Sequence, residues 1–390
     1  MPYRSVFVAA SLFLLAAFAA AWHVLRGRSI DIWLGSYLVQ SPRRRNRKLD
    51  SSIHVLLCIA DHFEPLHGKV THDQAQSRVD TWCSLYPANL GSFRDSDGRP
   101  PRHTFFYPLD EYDAGHIDAV AGLCRAGFGE IEMHLHHDND TAESLRKTLI
   151  DGCRTFRDRH GLLPNNKLTG QLQYGFVHGN WALDNSHPAG RHCGVNNELD
   201  VLLETGCYAD FTMPSAPDRT QTSKINSIYY AVDDPVRPKS HDRGVDVGTA
   251  PRPPRSLLLV QGPLVLDWGR RRGGIIPSVE NGCLQGSQLP TMRRLDLWCR
   301  ASVRVATRPD WYFVKLHTHG APEKNQAVLL GKPMIDFHTA LAARAAADPR
   351  FHFHYVTARE MYNLVRAAES NWTGTVADAR DFEITWELTR

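Results

Sequence analysis

Residues 53–65 read Ile53-His54-Val55-Leu56-Leu57-Cys58-Ile59-Ala60-Asp61-His62-Phe63-Glu64-Pro65. The first eight are nearly all apolar and β-branched at intervals, the pattern of a strand buried on both faces. An abrupt polar switch at Asp61-His62 ends the run. The same design recurs along the chain. His103 to Tyr107 reads as a strand. Glu130 to His136 alternates, with Glu130, Glu132, His134 and His136 on one face and Ile131, Met133 and Leu135 on the other. Leu172 to Val177 runs into His178-Gly179-Asn180-Trp181, and Trp311 to Leu316 into His317-Thr318-His319-Gly320. Phe351 to Val356 leads into a helix whose start carries Thr357 and Glu360, the spacing of a capping box.

Helical stretches at 71–85, 114–125, 144–160 and 197–204 separate these strands. Such crossovers are what parallel strands need. The simplest architecture is α/β, a distorted (β/α) barrel of seven or eight strands, with an open doubly wound sheet as the alternative. No Gly-rich dinucleotide loop follows the first strand, and no phosphate-cradling loop occurs.

Composition narrows the function classes. The 390 residues are 42% hydrophobic and 22% charged, which excludes a disordered chain and allows a sizeable core. A net charge of +3, with no basic stripe carrying interleaved aromatics, argues against a nucleic-acid partner. The eight Cys are scattered without a CxxC pair and read as buried thiols rather than a disulfide framework. The 20 His stand out, because histidine is both the commonest metal ligand and the usual acid–base residue near neutral pH.

The amino terminus reads separately. Val6 to Leu25 is apolar apart from Ser11 and His23, and as a helix would be about 30 Å long, the thickness of a bilayer core. Residues 1–28 are thus expected to be a single-pass membrane anchor or a cleaved signal peptide. Residues 29–52 follow as a basic linker with Arg43, Arg44, Arg45, Arg47 and Lys48. The positive-inside rule favours a cytoplasmic main domain, whereas an envelope glycan substrate favours the opposite side. Residues 53–390 form the catalytic region, with long loops at 214–255 and 270–295.

The polar clusters share one placement. Asp61-His62, His134-x-His136-His137-Asp138, His178-Gly179-Asn180 and His317-x-His319 all lie at carboxyl ends of expected strands, the rim where a barrel builds its active site. A His/Asp/His donor set suits Zn2+, with Co2+, Ni2+ or Fe2+ as alternatives. His62, His134 and Asp138 are the expected ligands, with His136 and His137 as alternates. Three protein ligands leave a position for water, whose pKa the ion lowers. His317 is a ligand or proton donor. Trp181 is a sugar-stacking platform, with His178 and Asn180 beside it.

The order of these clusters resembles the polysaccharide deacetylase family, which includes chitin, peptidoglycan and nodulation-factor deacetylases. The resemblance covers roughly residues 53 to 369. It implies a distorted (β/α) barrel and a divalent metal used to remove acetyl groups from a carbohydrate polymer or glycolipid. Asp61 matches the family's general base, and His62 stands where the family has a second Asp. His134 matches the first His of the second motif, with Asp138 four residues on in place of a second His. Leu316-His317 resembles the final motif, making His317 the general acid. Val177-His178-Gly179-Asn180 stands where the family carries an Arg.

Two other readings compete. One is an amidohydrolase-type or glycosidase-type hydrolase, the first suggested by His134-x-His136 and the second by Glu64 with Asp138 as a carboxylate pair. The other is a degenerate barrel that binds glycan or assembles a complex without catalysis.

Overall fold

The structure, a computed structural model, describes residues 22–42 and 52–386 together with Leu12, Leu15 and Ala19. Ten strands build the main sheet. In chain order they are β1 Ile53–His62, β2 His103–Pro108, β3 Gly129–Leu135, β4 Tyr174–His178, β5 Cys207–Asp210, β6 Ile228–Val232, β7 Val245–Asp246, β8 Ser256–Val260, β9 Trp311–Thr318 and β10 Phe351–Tyr355. The helices that position the site are α1 Ile30–Val39, α2 His72–Leu90, α3 Ala114–Leu123, α4 Ala142–Arg154, α5 Glu198–Glu204, α6 Met292–Ala301 and, after β9 and β10, α7 Lys332–Ala347 and α8 Ala358–Glu369.

The sheet order is β9-β1-β2-β3-β4-β5-β8-β6-β7, and β10 pairs with the first half of β1. Pairings from β9 through β8 are parallel; β8-β6 and β6-β7 are antiparallel. The expected barrel is therefore corrected to an open, mixed sheet, because no ladder among the described residues joins β9 to β7.

The physical reason lies in how the sheet's two faces are covered. Val55 and Leu57 of β1 belong to one apolar cluster with Val79 and Trp82 of α2, Ile117 of α3 and Leu145 of α4. Leu56, Cys58 and Ala60 belong to a second cluster with Trp33 of α1 and Met361 and Leu364 of α8. The crossover helices lie on the first face, so the second would be a barrel's interior. That interior has room for side chains only. Here a whole helix, α8, occupies it, with ten of its twelve residues buried. The expected capping box starts it: Thr357 accepts the Glu360 N–H while the Glu360 carboxylate accepts the Thr357 N–H.

The alternating face of β3 is fastened to this helix. Glu130 takes hydrogen bonds from Arg359 at 2.8 Å and from the Thr357 hydroxyl at 2.9 Å. Glu132 accepts the Tyr208 hydroxyl and the Gly175 N–H, both at 2.6 Å. All seven residues of β3 are consequently buried.

The amino-terminal expectation is also corrected. Among the described residues no helix is long and apolar enough to cross a membrane. Most of 6–25, where the anchor was expected, lies outside the described residues. Within the expected basic linker, α1 is ten residues, about 15 Å long and half a bilayer core. It packs against protein instead: Ile30, Trp33 and Tyr37 are buried, and Asp31 accepts Arg219 at 2.7 Å. Residues 43–51, with the Arg/Lys run, lie outside the described residues.

The long loops contain structure. The 214–255 excursion supplies β6 and β7, the antiparallel edge of the sheet. Within 270–295, Ile276–Glu280 pairs with Val265–Arg272 as a hairpin, and α6 begins at Met292.

Candidate metal centre at the strand tips

The strand ends meet as the polar clusters suggested, but the partners differ from those expected. Glu64, two residues beyond β1, is the hub. Its Oε1 lies 3.2 Å from His134 Nε2, 3.5 Å from His136 Nε2 and 3.8 Å from His319 Nε2. Its Oε2 accepts His67 Nδ1 at 2.8 Å. Two overlapping donor groups share it, His62-Glu64-His319 and Glu64-His134-His136, each with ligand atoms within 4.8 Å of one another. His62 stacks on the His319 ring at 4.7 Å and meets the His134 ring edge-on at 4.8 Å.

The atoms behind these rings set their orientation. His134 Nδ1 donates to the Val177 carbonyl at 2.8 Å, which fixes the ring with its Nε2 toward Glu64. His136 Nδ1 bonds Asp110 Oδ2 at 3.1 Å, while Asp110 Oδ1 accepts the His136 N–H at 3.0 Å. A carboxylate or carbonyl behind each imidazole is the usual support of a metal-ligating histidine. The donor set fits a divalent ion: one carboxylate oxygen and several imidazole nitrogens, converging at the floor of an open cleft.

Burial pushes the Glu64 carboxyl up, yet hydrogen bonds from His134, His136 and His67 outweigh it and hold the group well below the usual carboxylate range. Burial, with His319 and His134 beside it, lowers His62 far below the ordinary histidine value, leaving the neutral imidazole a metal requires. His319 is lowered as well, mainly by burial. Burial lowers His136, but hydrogen bonds to Asp110 and Glu64 outweigh it and raise the group to about 10, so an ion bound there displaces a proton, whereas Glu64, His62 and His319 already stand in the ligand form.

Asp61 is fully enclosed behind the cluster. Its Oδ2 bonds His103 Nε2 at 2.9 Å and its Oδ1 accepts the Gly320 N–H at 2.6 Å. Gly320 has no alternative residue: a Cβ there would overlap Asp61 Oδ2 and lie 2.7 Å from Trp82 Cζ2. With both oxygens engaged and no exposed surface, Asp61 positions the 317–320 turn rather than meeting a substrate. Asp138 is exposed and accepts the His192 N–H at 2.6 Å, outside the cluster. It was expected to follow His134 over the turn, but the chain leaves β3 in another direction, and Glu64 occupies the place assigned to it. His137 and His178 do not join the cluster either; they meet Cys193 and Glu198.

The cleft over Glu64 has a volume of about 930 Å³ and is lined by His67, Glu111, His136, Trp181, His317 and His319, among others. A second cleft of about 850 Å³ shares Trp181, Cys283, Gln285 and His317 with it and extends to Arg270, Arg271 and Arg272 on the hairpin. Together they make one elongated groove. Trp181 sits at the junction, its ring 5.8 Å from both His62 and His319. Asn180 is exposed on the rim. His317 is buried with no hydrogen bond at Nδ1. Glu111 also has an oxygen, Oε2, buried without a hydrogen bond; burial, with Glu64 and Asp110 nearby, pushes its carboxyl up.

No protein-family model matches the chain, and no curated protein matches it.

Sequence reasoning missed four contributors. Glu64 was weighed only as half of a glycosidase pair, although it stands three residues from Asp61 in the same strand-end motif. His319 was read mainly as a companion of His317. Asp110 and Glu111, just beyond β2, had a usable signal in the rule that strand ends carry the site.

Proposed function

We propose that this protein is a metal-dependent hydrolase that removes acetyl groups from a carbohydrate. The observation that carries the reading is the convergence of the His134, His136 and His319 Nε2 atoms on Glu64 Oε1 at the floor of an open groove. Glu64, His134 and His136 would hold the ion, with His62 and His319 completing its surroundings. A divalent ion in that place supplies Lewis acidity, acidifying a water and polarising an acyl carbonyl.

The chain's own groups supply the rest. Glu111, which lines the cleft and has a buried oxygen without a hydrogen bond, takes the proton from the attacking water. His317, which lines the same groove and is kept neutral by burial, hydrogen-bonds the departing sugar nitrogen or oxygen, and the proton that Glu111 took from water passes to that atom. Trp181 offers an aromatic face to a sugar ring, and the arginines at 270–272 give the far end of the groove a positive wall suited to an anionic chain. Asp61 acts through Gly320 as a positioning residue.

The His134-x-His136 pair supports a second hydrolase reading, an amidohydrolase-type reaction, because both members face Glu64. The glycosidase version loses support: Glu64 is occupied by imidazoles, and Asp138 lies outside the groove.

The test is acetate release from a panel of acetylated oligosaccharides by the full chain, with metal content measured in parallel. Metal-dependent acetate release that disappears in His134→Ala is the expected result. Metal-loaded protein that frees no acetate from the panel, or His134→Ala working at the wild-type rate, overturns the reading; ring opening of a cyclic amide to its amino acid would point to the amidohydrolase-type alternative.

A further inference from the structure

We propose that His137, His178, Cys193 and Glu198 form a second, structural metal site that takes zinc, separate from the Glu64 cluster. The four side chains come from four places: the turn after β3, the tip of β4, the 179–197 excursion and the first turn of α5. Their ligand atoms all lie within 4.8 Å of one another. Glu198 Oε1 is 3.2 Å from His137 Nε2 and 3.5 Å from His178 Nε2, and Glu198 Oε2 is 3.3 Å from Cys193 Sγ. Donors about 2.0–2.3 Å from a tetrahedral zinc stand roughly 3.3–3.8 Å from one another, so these separations match the edges of such a site.

Three observations point to an ion rather than to an ordinary polar cluster. The site is sealed: His178, Cys193 and Glu198 have no exposed surface, and the His137 side chain is 7% exposed. His178 Nε2 is buried, aimed at Glu198, and has no hydrogen bond. Among the described residues the ion partners of the buried Glu198 carboxylate are these two imidazoles, with no Lys or Arg. One thiolate and one carboxylate would together balance the charge of a divalent ion.

The surrounding bonds are those that orient ligands. His178 Nδ1 donates to the Gly179 carbonyl. His137 Nδ1 faces Asp140 Oδ2 at 3.3 Å. Cys193 Sγ accepts the N–H groups of Asn185 and Val195, both at 3.3 Å, and Glu198 Oε2 accepts the Asp184 N–H at 2.6 Å. With four protein donors and only the His137 edge reaching solvent, the site is of the closed, structural kind. Its work is to pin the 179–197 excursion, in which Asn180, Trp181, Asp184 and Asn185 all hold left-handed backbone conformations. That excursion carries Trp181 into the groove.

Cobalt(II) loading of the full chain tests the site, because a cobalt–thiolate charge-transfer band in the near ultraviolet requires a sulfur ligand and the Glu64 cluster contains none. The band is expected in the wild type and in His134→Ala, and is expected to vanish in Cys193→Ser with the loss of one equivalent of bound ion. Should Cys193→Ser fail to fold, zinc-edge X-ray absorption of His134→Ala protein replaces it and leaves this site intact; one sulfur scatterer at about 2.3 Å is expected. Cobalt-loaded wild type without the band, a band that survives in Cys193→Ser, or a zinc shell of nitrogen and oxygen alone overturns the proposal. A thiolate band without acetate release would sink only the enzymatic reading.

Discussion

Glu64 and His134, 70 residues apart in the chain, meet at 3.2 Å through Oε1 and Nε2 at the tips of two strands separated by β2. Everything proposed for the groove depends on that meeting. Glu64→Gln keeps the shape but removes the charge that the imidazoles face. Ion affinity at the groove is expected to fall by roughly 10–100-fold or more, the scale seen when even supporting residues of a metal site are lost. Equilibrium dialysis against zinc, with cobalt–thiolate absorption reporting the other site separately, checks it. Undiminished binding would remove Glu64 from the ligand set.

Asp61 and Glu111 should behave differently. Asp61→Asn loses one of two buried acceptor bonds, to His103 or to the Gly320 N–H, and is expected to cost about 1–3 kcal/mol of stability. Acetate release should fall, through a displaced 317–320 turn, while the ion stays bound. Glu111→Gln should leave the melting temperature nearly unchanged yet lower kcat by about 10²–10⁴-fold, the usual worth of a general base. Thermal melts and kinetics on the two variants separate positioning from proton transfer.

Glu132 gives stability a pH dependence on the alkaline side. Burial raises its carboxyl from 4.5 to about 8, outweighing the hydrogen bonds from Tyr208 and Gly175. The folded protein therefore holds this proton more tightly than the unfolded chain. The contribution is fully present below about pH 4.5 and is lost as pH rises through about 8. Glu132→Gln, which cannot ionise, should flatten the decline in urea-melt stability between pH 6 and 9 by on the order of 2–4 kcal/mol. An unchanged slope would assign the alkaline loss to other groups.

Arg380 closes a buried ionic cluster beneath the sheet. It donates to Glu360 at 3.2 Å, to Asp95 at 3.1 Å and to Asp97 at 2.8 Å, with 1% of its side chain exposed. Arg380→Ala strands these carboxylates in a dry interior, and a loss of about 3–5 kcal/mol is expected from chemical denaturation. A loss under 1 kcal/mol would mean that Arg99 and Arg102 at Glu360 and His354 at Asp97 suffice to hold the cluster.

Much of the strand framework was legible before any coordinates. Ile53 to Ala60 reads as a strand buried on both faces because no polar face interrupts it; it is a strand, fully buried at Val55–Cys58 and Ala60 and partly at Ile53, His54 and Ile59. The Thr357/Glu360 capping box was readable for the same kind of reason: its two bonds span only three residues. The histidines at strand ends were also visible, because a polar residue beside an apolar run needs no knowledge of distant parts. The Cys193–Glu198 pair carried no recognisable spacing, since its partners His137 and His178 belong to separate strands. Closure of the sheet was misread because alternation of strands and helices is common to barrels and open sheets. What distinguishes them is α8, whose sequence does not say on which face it packs.

The sequence by itself determined the local facts: which segments are apolar on both sides, where each ends, and that histidines and carboxylates crowd those ends. Only the tertiary structure decided which of them meet. It joined Glu64, rather than Asp138, to His134, turned Asp61 inward to hold Gly320, and drew His137 and His178 away to Cys193 and Glu198. The physical reason is range. Periodicity and capping act over a few residues along the chain, whereas a donor set for an ion is defined by a few ångströms in space, and the path between strand tips is set by the packing of the whole sheet.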